Sequence, residues 1–142
     1  MIQYPMSFPV SASSSSGIQK RWTSEAQLQK LTLAIPPEFE GPGEGLSPED
    51  LYALALQNCF IATFKVFAEK SRLSFEAINT EAVLQVDRDE NGKPWMARFH
   101  LKVKLLGVEQ KESAQRLLEK TSQGCMILNS VKTAKTFEFQ VG

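Results

Sequence analysis

Three side chains have the chemistry for covalent work: Cys59, Cys125 and Glu49. A free cysteine is often a small buried hydrophobe and nothing more. Two of them in a 142-residue chain with no others also fit a redox pair that cycles through sulfenic acid and disulfide. No CxxC spacing ties them together, so their proximity depends on the fold. A reactive thiol must ionise, and an ordinary one, with a pKa near ~8.5, is mostly protonated at neutral pH. Cys125 follows Gly124 and opens what reads as a helical turn, whose backbone N–H groups favour a thiolate. Glu49 suits the first turn of a helix, where a carboxylate complements the positive end of the dipole. It precedes Cys59 by ten positions, or roughly 15 Å of rise along one helix. The two cannot touch within that helix. If Glu49 serves a thiol, the thiol belongs to a second copy of the chain or an arginine bridges the gap.

Other chemistries have weaker support. One histidine and two widely separated cysteines make no recognisable zinc pattern. His100 alternates with Arg98, Lys102 and Lys104, the mark of an exposed polar strand face. No Walker loop, GxGxxG or GxSxG is present.

The element that must position Cys59 and Glu49 is a helix over residues 47–72. Ser47 caps it, Pro48 suits its first position, and Glu49 and Asp50 add negative charge there. Asp50, three residues after Ser47, forms a capping box with a shorter acid than usual. Apolar residues from Leu51 to Phe67 point around most of the helix, which predicts burial. Gln57, Asn58, Thr63 and Lys65 interrupt the run, against a membrane span. Such a helix needs cover on all sides, and a dimer with two of them packed between sheets supplies it.

Around this helix the chain predicts strands over 7–12, 19–23 and 28–35, with Ser13–Ser16 and Gly17 as a turn. Pro36 and Pro37 stop the third strand and a loop fills 38–46. A strand over 77–88 places Ala82, Leu84 and Val86 on one face. The turn at 89–92 leads to a strand over 95–106, because Asn91-Gly92 accepts positive φ cheaply. Phe99, Leu101, Val103 and Leu105 face one side of it. An amphipathic helix is expected over 108–122, another turn or two over 126–131, and a last strand over 136–141. The expected class is α+β with antiparallel sheets around a long buried helix. Residues 1–142 read as one domain, with N-terminal strands in 1–35, the central helix in 47–72, and strands and helices in 76–142.

Sixteen basic and sixteen acidic residues leave no net charge, against nucleic-acid binding by long-range attraction. No long apolar run precedes the first basic residue, Lys20, so a secretory signal is not expected. The cytoplasm is the expected location, where thiols are kept reduced.

The residues quoted above carry a resemblance. Ser47-Pro48-Glu49-Asp50-Leu51 followed by Cys59-Phe60 resembles the NPEEL…CF central helix of the OsmC/Ohr family, the osmotically inducible and organic hydroperoxide resistance proteins. Gly124-Cys125-Met126-Ile127 stands where that family has a second cysteine, usually as CPVS. The resemblance covers nearly the whole chain. It implies an intertwined homodimer with the active site at its interface, and cysteine-based peroxidase activity on organic hydroperoxides, an antioxidant function. Cys59 would be the peroxidatic thiolate and Cys125 the resolving thiol. No bound cofactor is implied, and an external dithiol or lipoyl-type reductant would restore both thiols. Glu49 matches the carboxylate that orients an active-site arginine. In the OsmC branch that arginine precedes the FEG of the loop, where this chain has Glu38 before Phe39-Glu40-Gly41. In the Ohr branch it comes from an early GGRDG-like turn, and the nearest candidate is Arg21, ahead of the weaker Lys20. Met126 replaces the proline after Cys125. The alternative expectation is a catalytically weak relative that binds an apolar small molecule at the dimer interface.

Overall fold

The computed structural model describes all 142 residues as two compact units, Met1–Leu51 and Tyr52–Gly142. Its secondary structure is α+β, with one three-stranded sheet in each unit.

In the first unit, β1 (Val10–Ser13), β2 (Trp22–Ala26) and β3 (Gln29–Leu33) form an antiparallel meander. The first and second strands sit later than the residue pattern predicts, and the third is shorter at both ends than the expected 28–35. Gln27 and Leu28 form the turn between them at φ 52° and 62°, and Leu28 is exposed rather than the first residue of a strand. Positive φ at two successive residues is the geometry of a tight hairpin turn, which usually advertises itself with Asn or Gly. Neither is present, so the sequence carries no signal for it. After Pro36 a single 3-10 turn, Pro37–Phe39, leads into the loop. Gly41 is required there, since a Cβ would stand 2.0 Å from the carbonyl oxygen of Ile35.

The helix α1 spans Pro48–Lys70. Its start has the predicted capping box. The Ser47 amide donates to Asp50 Oδ2 at 2.9 Å, and the Asp50 amide donates to Ser47 Oγ at 3.0 Å. It ends where Arg72 turns to φ 55° and the Leu73 amide reaches back to the Ala68 carbonyl, closing the last turn.

The second unit holds the rest of α1, then β4 (Ala77–Arg88), β5 (Pro94–Leu106), α2 (Lys111–Gly124), α3 (Met126–Asn129) and β6 (Ala134–Val141). The hairpin between β4 and β5 forms as predicted, although only Gly92 takes a positive φ. The Asp89 carboxylate accepts from the amides of Asn91 and Lys93. One strand pairing departs from expectation: β6 runs parallel to β5. A parallel neighbour needs a crossover of a dozen or more residues, and α2 and α3 provide it. The helix α2 begins at Lys111 rather than Val108, and Val108 is buried just ahead of it.

The inner face of β5 supplies Phe99, Leu101, Val103 and Leu105, all buried as their alternation predicts. Ala82 and Leu84 pack against them, but Val86 is exposed. The register shifts between Gln85 and Val86, so the strand leaves the core there. Leu56, Phe60, Phe64 and Ala68, four residues apart along α1, complete the core with Ala114, Leu117, Leu118 and Leu128. The Phe60 ring stacks on Phe139 at 5.8 Å and tilts against Phe137 at 6.0 Å.

The helix is therefore buried along one face only. Leu54 is 42% exposed and Val66 50% exposed. By length and mean hydropathy α1 also reaches the range of a membrane span, despite its polar interruptions. Its line of four fully packed residues is instead the pattern of a core helix.

Candidate active site: two thiols between helix and crossover

Cys59 stands beside Phe60 on α1, at the edge of the buried face, and is half-buried. One helical turn later, Thr63 presents its hydroxyl to the same side, with Oγ1 4.0 Å from Cys59 Sγ. Residues four apart on a helix are neighbours.

Cys125 reaches the same core from the junction of α2 and α3. The helix α2 ends at Gly124, and Cys125 is extended at φ −75°, ψ 117° before α3 begins. Its side chain is fully buried. The thiol donates to the Thr121 carbonyl oxygen at 3.1 Å. Thr121 is itself buried and satisfied, its hydroxyl donating to the Leu117 carbonyl at 2.7 Å. The Thr63 hydroxyl and the Cys59 thiol stand close enough to Cys125 to act on its acidity. The fold thus brings together two thiols far apart in sequence, and both are free.

The electrostatics differ from the expectation for Cys125. Burial pushes its thiol up to about 11, opposed by the Thr63 hydroxyl and reinforced by Cys59. The helical turn that follows is only four residues long, Met126–Asn129. Removing the sulfur from water outweighs whatever so short a turn contributes. The hydrogen bond to Thr121 also requires the protonated thiol as donor.

Glu49 and Arg21 belong to the first unit. Glu49 is half-buried in the first turn of α1, and its carboxylate has no hydrogen-bond or ion-pair partner within the chain. Arg21 lies just before β2, where Nε donates to the Gly43 carbonyl at 2.8 Å and the guanidinium stands 3.4 Å from the Glu44 carboxylate. Glu38 lies exposed in the 3-10 turn. His100 lies on the outer sheet face as its alternation predicts, bonded to Thr136 at 2.6 Å and to Glu138 at 3.0 Å. The His100 bond to Glu138, with the nearby charge of Lys102, holds that carboxyl below its usual value.

Sequence reasoning missed Thr63 and Thr121. A signal existed for both: each lies four residues from a cysteine, the spacing that places two side chains, or a side chain and a carbonyl, on one helix face.

Comparison with known proteins gives the family and the fold. Residues 41–140 match the OsmC-like protein family. The uncharacterised protein YmaD of Bacillus subtilis is 26% identical over 105 residues, covering 71% of this chain and 70% of that protein. An uncharacterised protein of Acinetobacter baylyi is 24% identical over 131 residues, covering 92% and 90%. Among solved structures, an OsmC-like protein of unknown function from Vibrio cholerae superposes with a TM-score of 0.84 at 17% identity, covering 95% of this chain and 99% of that one. An organic hydroperoxide resistance protein, OsmC, from Legionella pneumophila gives a TM-score of 0.77 at 21% identity, covering 99% of both chains. At these identities the structural likeness speaks to fold. The family match spans all of α1, both cysteines and all but the last residue of the second sheet, and on that ground the chain belongs to the OsmC-like protein family.

Proposed function

We propose that this protein is a cysteine-based peroxidase that reduces organic hydroperoxides, with Cys59 as the attacking thiolate and Cys125 as the resolving thiol. The observation that supports the reading is that a half-buried and a fully buried free thiol lie near enough for Cys59 to act on the acidity of Cys125. The half-buried sulfur is the one placed to meet a substrate, and the buried one is kept for the second step.

In the first step Cys59 Sγ attacks the O–O bond. A sulfur–oxygen bond forms, the O–O bond breaks, and the alkoxide leaves as an alcohol after taking a proton. Cys59 becomes a sulfenic acid. In the second step Cys125 Sγ bonds to Cys59 Sγ, the sulfur–oxygen bond breaks, and water leaves. A dithiol reductant, lipoyl-type or small, then exchanges with the disulfide, restoring two thiols and leaving as its own disulfide. A reducing compartment such as the cytoplasm suits this cycle.

The functional unit in this reading is a homodimer. The exposed Leu54 and Val66 on α1 are apolar surface that a second copy would cover. Glu49 would then serve a thiol of the partner copy, with Arg21 as the candidate cation. One observation favours the second reading, a catalytically weak relative holding an apolar small molecule. Arg21 is already engaged by Gly43 and Glu44.

The test is consumption of an alkyl hydroperoxide with dihydrolipoamide as reductant. Cys59→Ser is expected to abolish turnover. Cys125→Ser should lose turnover with the dithiol but leave a sulfenate that a dimedone-type probe traps. If neither substitution changes peroxide consumption, the peroxidase reading fails. Negligible consumption by the unaltered chain, with a co-purifying ligand in native mass spectrometry, would favour the second reading.

A further inference from the structure

Hydroxyls on this protein's helices have a usual partner. Thr121 and Ser122 on α2, and Ser130 just after α3, each donate to a backbone carbonyl three or four residues back, at 2.7, 2.6 and 2.8 Å. A threonine on a helix divides between two rotamers because that bond to the preceding turn is open to it. Thr63 forgoes it. Its Oγ1 bonds no carbonyl and instead stands 4.0 Å from Cys59 Sγ. Among the hydrogen bonds of the chain, this contact is the one that involves the Cys59 sulfur. No lysine, arginine or histidine pairs with that sulfur, and Arg21 is held by Gly43 and Glu44.

A separation of 4.0 Å is long even for sulfur, so the bond is weak while the thiol is neutral. Hydrogen bonds to an ionised acceptor are shorter and about twice as strong. A thiolate can only accept, and the Thr63 hydroxyl can donate to it. A bond that is weak to the neutral sulfur and strong to the charged one favours the charged form.

We propose that the Thr63 hydroxyl holds Cys59 as the attacking thiolate, donating to Sγ in the role that a neighbouring cation fills for other reactive cysteines. What the thiolate attacks rests on the peroxidase reading, whereas the contact between Thr63 and Cys59 does not. On ionisation the Cys59 proton goes to solvent, which a half-buried sulfur can reach. Thr63 keeps its own proton throughout. The two residues are four apart on one helix, so α1 alone holds donor and acceptor together.

The experiment times alkylation of Cys59 by iodoacetamide between pH 5 and pH 10, on reduced chain freed of its reductant, with peptide mapping to locate the modified cysteine. Thr63→Val keeps the branched shape and removes the hydroxyl, Thr63→Ala removes it without branching, and Thr63→Ser keeps it. In Thr63→Val and Thr63→Ala the rate at pH 7 should fall about tenfold, and the pH of half-maximal rate should rise by about one pH unit, the loss of one bond to a charged group. At the alkaline end the rates should converge, because every Cys59 is then ionised. Thr63→Ser should follow the unaltered chain. Cys59 sulfenate, trapped by a dimedone-type probe after a pulse of alkyl hydroperoxide at pH 7, should form in the same order of rates. Profiles of Thr63→Val and Thr63→Ala that overlie that of the unaltered chain overturn the proposal. So does Thr63→Ser displaced as far as Thr63→Val, since packing rather than the hydroxyl would then matter. Alkylation that depends on Thr63 as expected, in an unaltered chain that forms no sulfenate, overturns the peroxidase reading and leaves the thiolate contact standing. Sulfenate that forms at one rate in all four proteins overturns the role of Thr63 and leaves the reading.

Discussion

The Cys125 thiol and the Thr121 carbonyl, four residues apart at the end of α2, are joined by a 3.1 Å hydrogen bond in which the sulfur is the donor. Burial holds that thiol in its protonated form and gives the fold a dependence on pH.

Burial raises the Cys125 thiol to about 11, above the value it takes in an unfolded chain. Its neutral form is the one the fold prefers. The resulting stability is fully present below about pH 8.5, where the unfolded thiol is still protonated, and is lost as pH rises through 11. The loss attributable to this group should be on the order of 2–3 kcal/mol. Urea unfolding in reducing buffer at pH 7.5 and pH 10.5 checks it. Cys125→Ser retains a donor for Thr121 and has no thiol to ionise, so the unaltered chain should lose more stability than Cys125→Ser. Equal losses would mean that the thiol is not held neutral.

Phe60 is fully buried and its ring contacts Phe137 and Phe139. It joins α1 to β6, the parallel edge strand of the second sheet. Phe60→Ala should cost about 3–5 kcal/mol, the transfer and cavity terms together. Denaturant midpoints with an unchanged m-value are the expected signature. A cost below about 1 kcal/mol would show that α1 is not anchored through this ring.

At the helix start, Ser47 and Asp50 exchange two hydrogen bonds of 3.0 and 2.9 Å. Ser47 is only 5% exposed, so water is poorly placed to replace its hydroxyl. Ser47→Ala should destabilise by about 1 kcal/mol. Asp50→Ala should cost a similar amount, and the double variant should cost less than the two singles added, because each bond depends on the same local geometry. Thermal unfolding of the four proteins measures the coupling. Strict additivity would count against a reciprocal box.

Much of this was readable in the order of residues. The period-two alternation of β5 selected Phe99, Leu101, Val103 and Leu105 as its inner face. Side chains on successive strand residues must point to opposite sides. Ser47, Pro48 and Asp50 marked the start of α1 because orphan amide groups there need those side chains. The pair Cys59 and Cys125, together with the residues around them, pointed to the family that the chain belongs to.

Other features had no local signature. The turn at Gln27 and Leu28 uses positive φ without a residue that favours it, so β2 runs later, to Ala26, and β3 begins only at Gln29. The direction of β6 depends on where the α2–α3 crossover delivers it, not on its own residues. Apolar residues surround α1, yet only contacts with β5, β6 and α2 decide which of them are buried. The acidity of Cys125 follows from how completely the core excludes water from its sulfur, which neighbours in sequence do not determine. By itself the sequence determined the elements and the two thiols, since periodicity and capping are local. Only the tertiary structure decided that Cys59, Thr63 and Cys125 meet, because contact between distant residues is a property of packing.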